Sequence, residues 1–495
     1  MKATVATTLL LVLIGLSIPI GALIIILGMA LAAMFSSFPL WNALGDIVWS
    51  ASTDFVLVAV PLFILMGEIM LRSGIAGDMF SVMGKILAPL PGGLMHANIG
   101  ASALFSATSG SSVATAATIA TVATPHIKKG GYNTPLFLGS IAAGGTLGIL
   151  IPPSVNMIVY AVLADVSVRD LYIAAIVPGL MLALIFTLTV LAICIFRPEM
   201  GGTEKRARFS EILAGLPALI PPLFLFLIVV GSIYGGIATA SEAAALGLIA
   251  TLGIAALRRR LSWQMIVEAC EGTMRTTAMV MLIVVAGYFL TFVLSSTGLT
   301  NQISSTIAGL DFPPIVTLLI IVLIYIFLGT FMETLTLMVA TTPIVVPVIV
   351  ALGFDPVWFG ILFMVLLEAS LISPPIGMTL FVVQAIYPSA SSWDVAKGSF
   401  PFLISMFVMI GLLIAFPGLA LGFLHGRRRG VKWLVARHRR TDRAEVRFPR
   451  RRWPSEPACR RRRSAAPIRP APASVTNCAS GCCVPPRNWD TSPTP

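Results

Sequence analysis

Residues 106–154 read SATSGSSVATAATIATVATPHIKKGGYNTPLFLGSIAAGGTLGILIPPS, and this stretch decides the fold of the chain. It combines glycines, hydroxyl residues and two adjacent prolines with enough apolar sequence to lie in a bilayer. Pro152 and Pro153 cannot continue a regular helix, because each ring removes an N–H and clashes with the carbonyl four residues before it. We therefore expect the carbonyls of Gly148 and Ile149 to be free. Since free carbonyls need a partner at membrane depth, a bound ion is one candidate.

The composition identifies a membrane protein. Of the 495 residues, 57% are hydrophobic and 11% are charged, and the mean hydropathy is +0.94. These values exclude a soluble globular protein. The net charge of +12 is concentrated in residues 425–495, which hold 18 Lys and Arg against four Asp and Glu. Nucleic-acid binding is therefore not expected, and with only Cys194 and Cys270 in the apolar body no disulfide framework supports the fold.

Apolar runs of about 20 residues, with cations at their cytoplasmic ends, divide the chain. We predict N-terminal scaffold helices in 1–72, first-repeat transport elements in 73–212, scaffold helices of the second repeat in 213–295, second-repeat transport elements in 296–424 and a basic tail in 425–495. The first set comprises an amphipathic helix in the membrane interface, a re-entrant hairpin at 94–125, a broken helix at 135–164 and a helix at 171–196. The second set comprises a hairpin at 313–350, a broken helix at 355–386 and a last helix at 399–424.

The tail is predicted to be disordered, because it is rich in Arg and Pro and has no apolar periodicity. Counting the spans places it outside the cell. Such a composition fits either a genuine basic extension or an out-of-frame reading of GC-rich DNA, and both interpretations stay open.

An internal repeat relates the two transport parts. A shift of 222 residues superimposes Pro152-Pro153 on Pro374-Pro375 without a gap, and the same shift places Gly131 on Gly353 and Asn133 on Asp355. An odd number of predicted crossings separates the two copies, so the second enters the membrane from the opposite face. An inverted-topology repeat with discontinuous helices is typical of secondary transporters, whose sites lie where those helices meet.

The first hairpin tip, residues 109–112, is the first candidate site. One helix ends there with carbonyls and the next begins with N–H groups, so small hydroxyl residues can hold Na+ beside a carboxylate. The alternative is that small residues only allow close helix packing, which we favour for residues 114–117. A simple proline kink is the corresponding alternative for the break at Pro152-Pro153.

Two acidic residues mark the second half. Glu368 stands well inside a span, where a carboxylate costs about 2.5 to 3.5 kcal/mol on insertion scales, and direct ligation and a structural hydrogen bond are both open. Glu333 at the second tip either supplies negative charge to an ion site or caps the returning helix. Residues 276–396 contain no Lys or Arg. A carboxylate substrate would therefore need bound Na+, helix N-termini and hydroxyls to neutralise it.

Three runs resemble the large membrane subunit of tripartite ATP-independent periplasmic (TRAP) transporters. They are FSATSGSSVATAATIATVATPHIKKGGY at 105–132, AAGGTLGILIPPSVNMIVY at 142–160 and GFDPVWFGILFMVLLEASLISPPIGMTLFVVQAI at 353–386, within a similarity that extends over residues 5–424. The resemblance implies an elevator-type transporter of the ion-transporter superfamily in the bacterial inner membrane. It further implies uptake of an organic acid with Na+, a periplasmic substrate-binding protein and a small four-helix membrane subunit.

The resemblance also implies that the hairpin tips and broken helices enclose two Na+ sites and the substrate. Matching positions give the predicted substrate contacts Ser109, Ser111, Ser112, Thr146, Ser154 and Thr334. The predicted Na+ ligands are Ser109, Gly110, Gly148, Ile149, Pro152, Gly329, Glu333, Ser373, Gly377 and Met378. The second tip departs from the family pattern, which more often has Asp at the position of Glu333. With no four-helix segment fused at either end, we expect the small subunit to be a separate chain.

Three other functions fit parts of the sequence. A self-sufficient Na+/carboxylate symporter would work without a binding protein. An intramembrane hydrolase would need His96 or His126 as the base for a serine in 109–112. A scaffold that only anchors other subunits would show no ion dependence.

Overall fold

The structure is a computed structural model that describes residues 8–9, 12–13, 18–202, 208–299, 302 and 312–422. Within that part the chain is helical, and a β-bridge between Tyr132 and Gly201 is isolated rather than part of a strand. The all-α architecture implied by the predicted spans, hairpins and broken helices is therefore confirmed for the described residues. The tail 425–495 lies outside the described residues, so the interpretation of that segment stays a prediction.

The α-helices are numbered here in chain order. They are α1 Ile20–Phe35, α2 Leu44–Ser52, α3 Ala59–Arg72, α4 Ile75–Leu87, α5 Leu94–Ser109, α6 Ser112–Ala123, α7 His126–Gly130, α8 Thr134–Thr146, α9 Val155–Leu163, α10 Val168–Phe196, α11 Phe209–Gly215, α12 Ile220–Gly235, α13 Ala240–Leu257, α14 Trp263–Ser296, α15 Pro314–Gly329, α16 Thr334–Ala351, α17 Pro356–Ile372, α18 Met378–Ile386 and α19 Ser392–Ala415.

Several of these helices can cross a membrane. Six helical segments in the described part are long and apolar enough, and α3 with α4 meets the same criteria as one bent pair. The six segments are Val168–Phe196, Ser210–Gly235, Ala240–Leu257, Trp263–Ser296, Thr334–Ala351 and Ser392–Ala415. The chain is therefore a multi-pass membrane protein.

The chain bends by 68° between α3 and α4. Gly74 makes this bend with a φ of +68°, which favours glycine because a Cβ is strained there. Helix α4 is the amphipathic helix predicted for the membrane interface. Its apolar residues Ile75, Met79 and Phe80 are buried, and the helix packs on α5 and α6. The apolar side of α4 therefore covers the first hairpin.

The two broken helices begin in the same way. The Asn133 side chain accepts a hydrogen bond from Leu136 N at 3.1 Å, and the Asp355 side chain accepts bonds from the N–H groups of Val357 and Trp358. These caps satisfy N–H groups that the first helical turn leaves without partners. Asn133 and Asp355 are the residues that the 222-residue shift superimposes.

Corresponding helices of the two halves make corresponding contacts with the opposite half. Helix α8 packs on α19, and its counterpart α17 packs on α10. Likewise α6 contacts α18, and its counterpart α16 contacts α9. Each broken helix therefore packs against elements of the other half as well as against its own hairpin.

The last helix begins earlier than the sequence indicated. It starts at Ser392 rather than at residue 399, because Ser391 and Asp394 form a capping box in which each side chain bonds the other residue's backbone N–H. It ends at Ala415, just before Pro417.

Candidate functional site

The first hairpin turns at Gly110, whose φ is +60°. On either side of it the hydroxyls bond one another, since Ser109 Oγ lies 2.9 Å from Thr115 Oγ1 and Thr115 Oγ1 donates to the Ser111 carbonyl at 2.8 Å. Because the Thr115 proton is used on that carbonyl, Ser109 is the donor to Thr115. Ser109 Oγ also accepts a long bond from Ser111 N at 3.5 Å, so one of its two lone pairs remains available to a cation.

The first tip is in backbone contact with the first break. Ser112 Oγ donates to the Thr146 carbonyl at 3.0 Å. A Cβ built at Gly148 would lie 2.9 Å from the backbone nitrogen of Ser112, and one at Gly110 would lie 2.9 Å from the carbonyl oxygen of Pro153. Glycine is therefore required at both positions for this approach, which buries all of residues 147–154.

The first break leaves polar groups without protein partners. Turn bonds continue to Ile151, whose N–H bonds the Leu147 carbonyl at 2.9 Å, and the described residues place no donor on the carbonyls of Gly148 or Ile149. Ser154 Oγ is buried and has no partner among the described residues, although the Ser154 carbonyl accepts from the Tyr172 hydroxyl at 3.3 Å. Thr146 Oγ1 bonds the Ala143 carbonyl and is fully buried. Oxygens of this kind are suitable ligands for a hard cation.

The second tip is organised by Glu333. Its carboxylate accepts from Thr336 N at 3.0 Å, Thr336 Oγ1 at 3.0 Å and Thr334 Oγ1 at 3.1 Å. It therefore caps α16, as the capping interpretation predicted. Glu has a longer side chain than the Asp expected from the family resemblance. Its carboxylate accepts hydrogen bonds from these local donors. Gly329 allows the tip to pack closely on α17, since a Cβ at this position would lie 2.6 Å from the Ser370 Cβ.

The second break differs from the first. Pro374 and Pro375 free the carbonyls of Ser370 and Leu371 from helical bonds, as predicted, but other groups of the protein bond both. Ser373 N donates to Ser370 at 3.4 Å, and Thr379 Oγ1 donates to Leu371 at 2.8 Å. The two prolines and Ile376 are exposed, as is Met378, whereas Gly377 is buried with a φ of +40°. The described contacts do not join Glu333 to residues 373–378.

Glu368 connects the two halves of the molecule. It is fully buried, and its Oε1 accepts from Leu150 N in the first break at 3.2 Å, across 218 residues of sequence. Its Oε2 has no partner in the described part, where no cation pairs with it either. Glu368 therefore supports the opposite break, which favours the structural role that the sequence left open.

Helix α5 carries a row of buried polar residues that was not predicted from the sequence. Asn98 Nδ2 donates to Ser140 Oγ at 2.8 Å, while Asn98 Oδ1, Ser102 Oγ and Ser106 Oγ are buried without partners in the described part. The spacing of four residues places all three on one face of the helix. This regular spacing of polar residues could have been recognised in the sequence. The three residues follow α5 from the base of the hairpin toward its tip.

The hydrolase hypothesis finds no base near the tip serines. His96 Nε2 lies 2.7 Å from the Pro91 carbonyl, and the His126 ring packs against Phe80 with 6.2 Å between centroids. Neither histidine bonds a serine of residues 109–112 in the described part. The geometry instead gives paired hairpins and broken helices in an all-helical membrane protein, which defines the class of secondary transporters.

The comparisons with known proteins agree with that class and narrow it. The chain belongs to the family of the tripartite ATP-independent periplasmic transporter, DctM component, whose model matches residues 7–419. It is therefore a TRAP transporter permease of the inner membrane, a secondary transporter rather than an enzyme.

Two relatives and one solved structure illustrate this similarity. The sialic acid TRAP transporter large permease protein SiaM of Vibrio cholerae is 30% identical over 81% of this chain and 93% of its own length. The C4-dicarboxylate TRAP transporter large permease protein DctM of Pseudomonas aeruginosa is 31% identical over 76% and 87%. The YdaH transporter of Alcanivorax borkumensis shares the fold, with a TM-score of 0.55 and 17% identity over 84% of this chain and 98% of that chain.

Proposed function

We propose that this permease imports a small organic acid together with Na+, and that the acid is delivered by a periplasmic substrate-binding protein. A small four-helix membrane subunit completes the proposed transporter. Relatives named for sialic acid and for C4-dicarboxylates support an organic acid as the substrate class.

One observation carries the proposal. The first tip and the first break meet backbone to backbone, the carbonyls of Gly148 and Ile149 accept no bond from the described residues, and Ser109 Oγ at the tip keeps one free lone pair. No Lys or Arg stands between Lys129 and Arg169. A desolvated cluster of oxygens with no cationic side chain suits a small hard cation, and we assign the first Na+ site to it.

The second Na+ site is proposed at the second tip and break, with Gly329, Glu333, Ser373, Gly377 and Met378 as ligands. In the present conformation this half is more open, since Pro374 and Pro375 are exposed. We infer that the second site closes when ion and substrate bind. Ser111, Ser112, Thr146, Ser154 and Thr334 would then contact the substrate carboxylate from the two tips and breaks.

The movement we propose is of the elevator type, based on two inverted-topology repeats. The reciprocal packing of α8 on α19 and of α17 on α10 supports this symmetry. The 68° bend at Gly74 separates α3 from the helix that covers the first hairpin. When the hairpins and broken helices move relative to the remaining helices, we expect this bend to act as a hinge.

Uptake into proteoliposomes tests the proposal. The chain is reconstituted with its small subunit, and uptake of a labelled organic acid is measured with and without the binding protein, in Na+ and in choline. Uptake that needs both Na+ and the binding protein is expected. Equal uptake in choline would refute Na+ coupling, and Na+-dependent uptake without the binding protein would identify a self-sufficient symporter instead.

A further inference from the structure

A cavity of about 540 Å³ opens between the beginning of α8, the end of α10 and the beginning of α19. Its walls are mainly apolar and include Leu136, Ile193 and Phe196. None of its lining residues belongs to a hairpin tip or to a break. The cavity is therefore separate from the proposed transport site, and its role does not depend on the transported substrate.

The polar groups in this cavity are donors and cations. Arg197 and Lys397 line it, no acidic residue does, and neither cation forms an ion pair among the described residues. Lys397 Nζ lies 5.7 Å from the centre of the Trp393 ring, and the nearby Asp394 is bonded to Ser391.

Asn133 adds a third donor to the same cavity. Its side-chain oxygen caps α8, which leaves its Nδ2 group without a bond in the described part. Two positive charges and an amide N–H thus face one space, and this combination is complementary to an anion such as a phosphate group.

The residues around the cavity are typical of a membrane boundary. Phe196 is 85% exposed, and Trp393 and Phe400 are 62% and 59% exposed. Large exposed apolar groups beside Arg and Lys are typical of a helix end at the boundary between hydrocarbon and headgroups. Lys128 and Lys129 stand just before α8 at the same end of the molecule. The positive-inside rule makes this the cytoplasmic leaflet, which is rich in anionic lipid.

We propose that the cavity binds one anionic phospholipid. The phosphate bonds Arg197, Lys397 and Asn133 Nδ2, and an acyl chain runs along the apolar wall past Phe196. The lipid lies between α10 and the interface of α8 with α19. That interface is tightly packed, since a Cβ at Gly398 would overlap the Pro135 carbonyl. Bound lipid therefore stabilises the packing of the two halves against each other.

Thermal unfolding of the purified full chain tests this site. Phosphatidylglycerol is added to the detergent micelles, and phosphatidylcholine with the same acyl chains, inorganic phosphate and glycerol 3-phosphate are added separately. Phosphatidylglycerol is expected to raise the melting temperature, and native mass spectrometry should retain one such lipid. In Arg197→Gln and Lys397→Gln the lipid should bind about fivefold more weakly for each charge removed.

Two further variants separate the site from general effects. Lys128→Gln with Lys129→Gln removes two charges from the same end outside the cavity, and should keep the response. Ala192→Trp fills the cavity without changing the charge, and should abolish it. Equal responses of the cavity and control variants, equal protection by phosphatidylcholine, or full protection by inorganic phosphate or glycerol 3-phosphate would each overturn the proposal.

Discussion

Replacing Gly148 by alanine tests the contact between the first tip and the first break. The added Cβ would lie 2.9 Å from Ser112 N, 3.0 Å from Ser111 C and 3.1 Å from Ser112 Cα. All three atoms belong to the backbone, so no side chain can rotate away, and the tip must move from the break by about 0.5 to 1 Å to reach ordinary contact.

Overpacking of this kind costs about 1 to 3 kcal/mol. If the cost falls on the closed, ion-bound arrangement, the apparent affinity for Na+ decreases by about 5- to 150-fold, since 1.4 kcal/mol corresponds to a factor of ten. The assay measures uptake into proteoliposomes as a function of Na+ concentration, together with the Na+-dependent shift in melting temperature. Folding is checked by the amount of monodisperse protein.

Gly231→Ala and Gly411→Ala are matched controls. Both glycines lie in apolar helices, and a Cβ at either position meets no atom within 4 Å. These variants should respond to Na+ like the unmodified protein. A folded Gly148→Ala variant with an unchanged Na+ response would refute both the steric argument and the location of the first ion site.

Three further predictions concern the same architecture. Glu368→Gln keeps an acceptor for Leu150 N and should preserve the melting temperature, whereas Glu368→Ala leaves Leu150 N with only its 3.2 Å bond to the Leu147 carbonyl and should cost about 0.5 to 1.5 kcal/mol of unfolding free energy; equal melting temperatures would contradict the cross-connection. Gly110→Ala places a side chain at a φ of +60°, a strain of about 1 to 2 kcal/mol, and should lower uptake more than Gly231→Ala; equal uptake would argue against a rigid tip. Ser111→Ala and Ser373→Ala should each weaken Na+-dependent uptake, and normal sodium titrations for both would count against paired ion sites.

Much of the fold was determined by local chemistry in a bilayer. Pro152-Pro153 and Pro374-Pro375 interrupt helices wherever they occur, and in lipid the freed backbone must be paired or buried. The caps at Asn133 and Asp355 also act within one turn, so the starts of the broken helices could be read from the chain. The beginning of α19 was missed because its capping box lies before the apolar run that marked the span.

The pairing of distant groups was decided by tertiary structure alone. The sequence by itself determined a multi-pass all-helical permease with two hairpins and two broken helices, because spans, breaks and caps depend on neighbouring residues. It did not determine that Glu368 reaches Leu150, that Thr379 occupies the Leu371 carbonyl, or that Arg197 and Lys397 share a cavity. Those contacts depend on how helices pack, and a difference of a few ångströms in that packing decides whether a polar group is bonded or left for an ion.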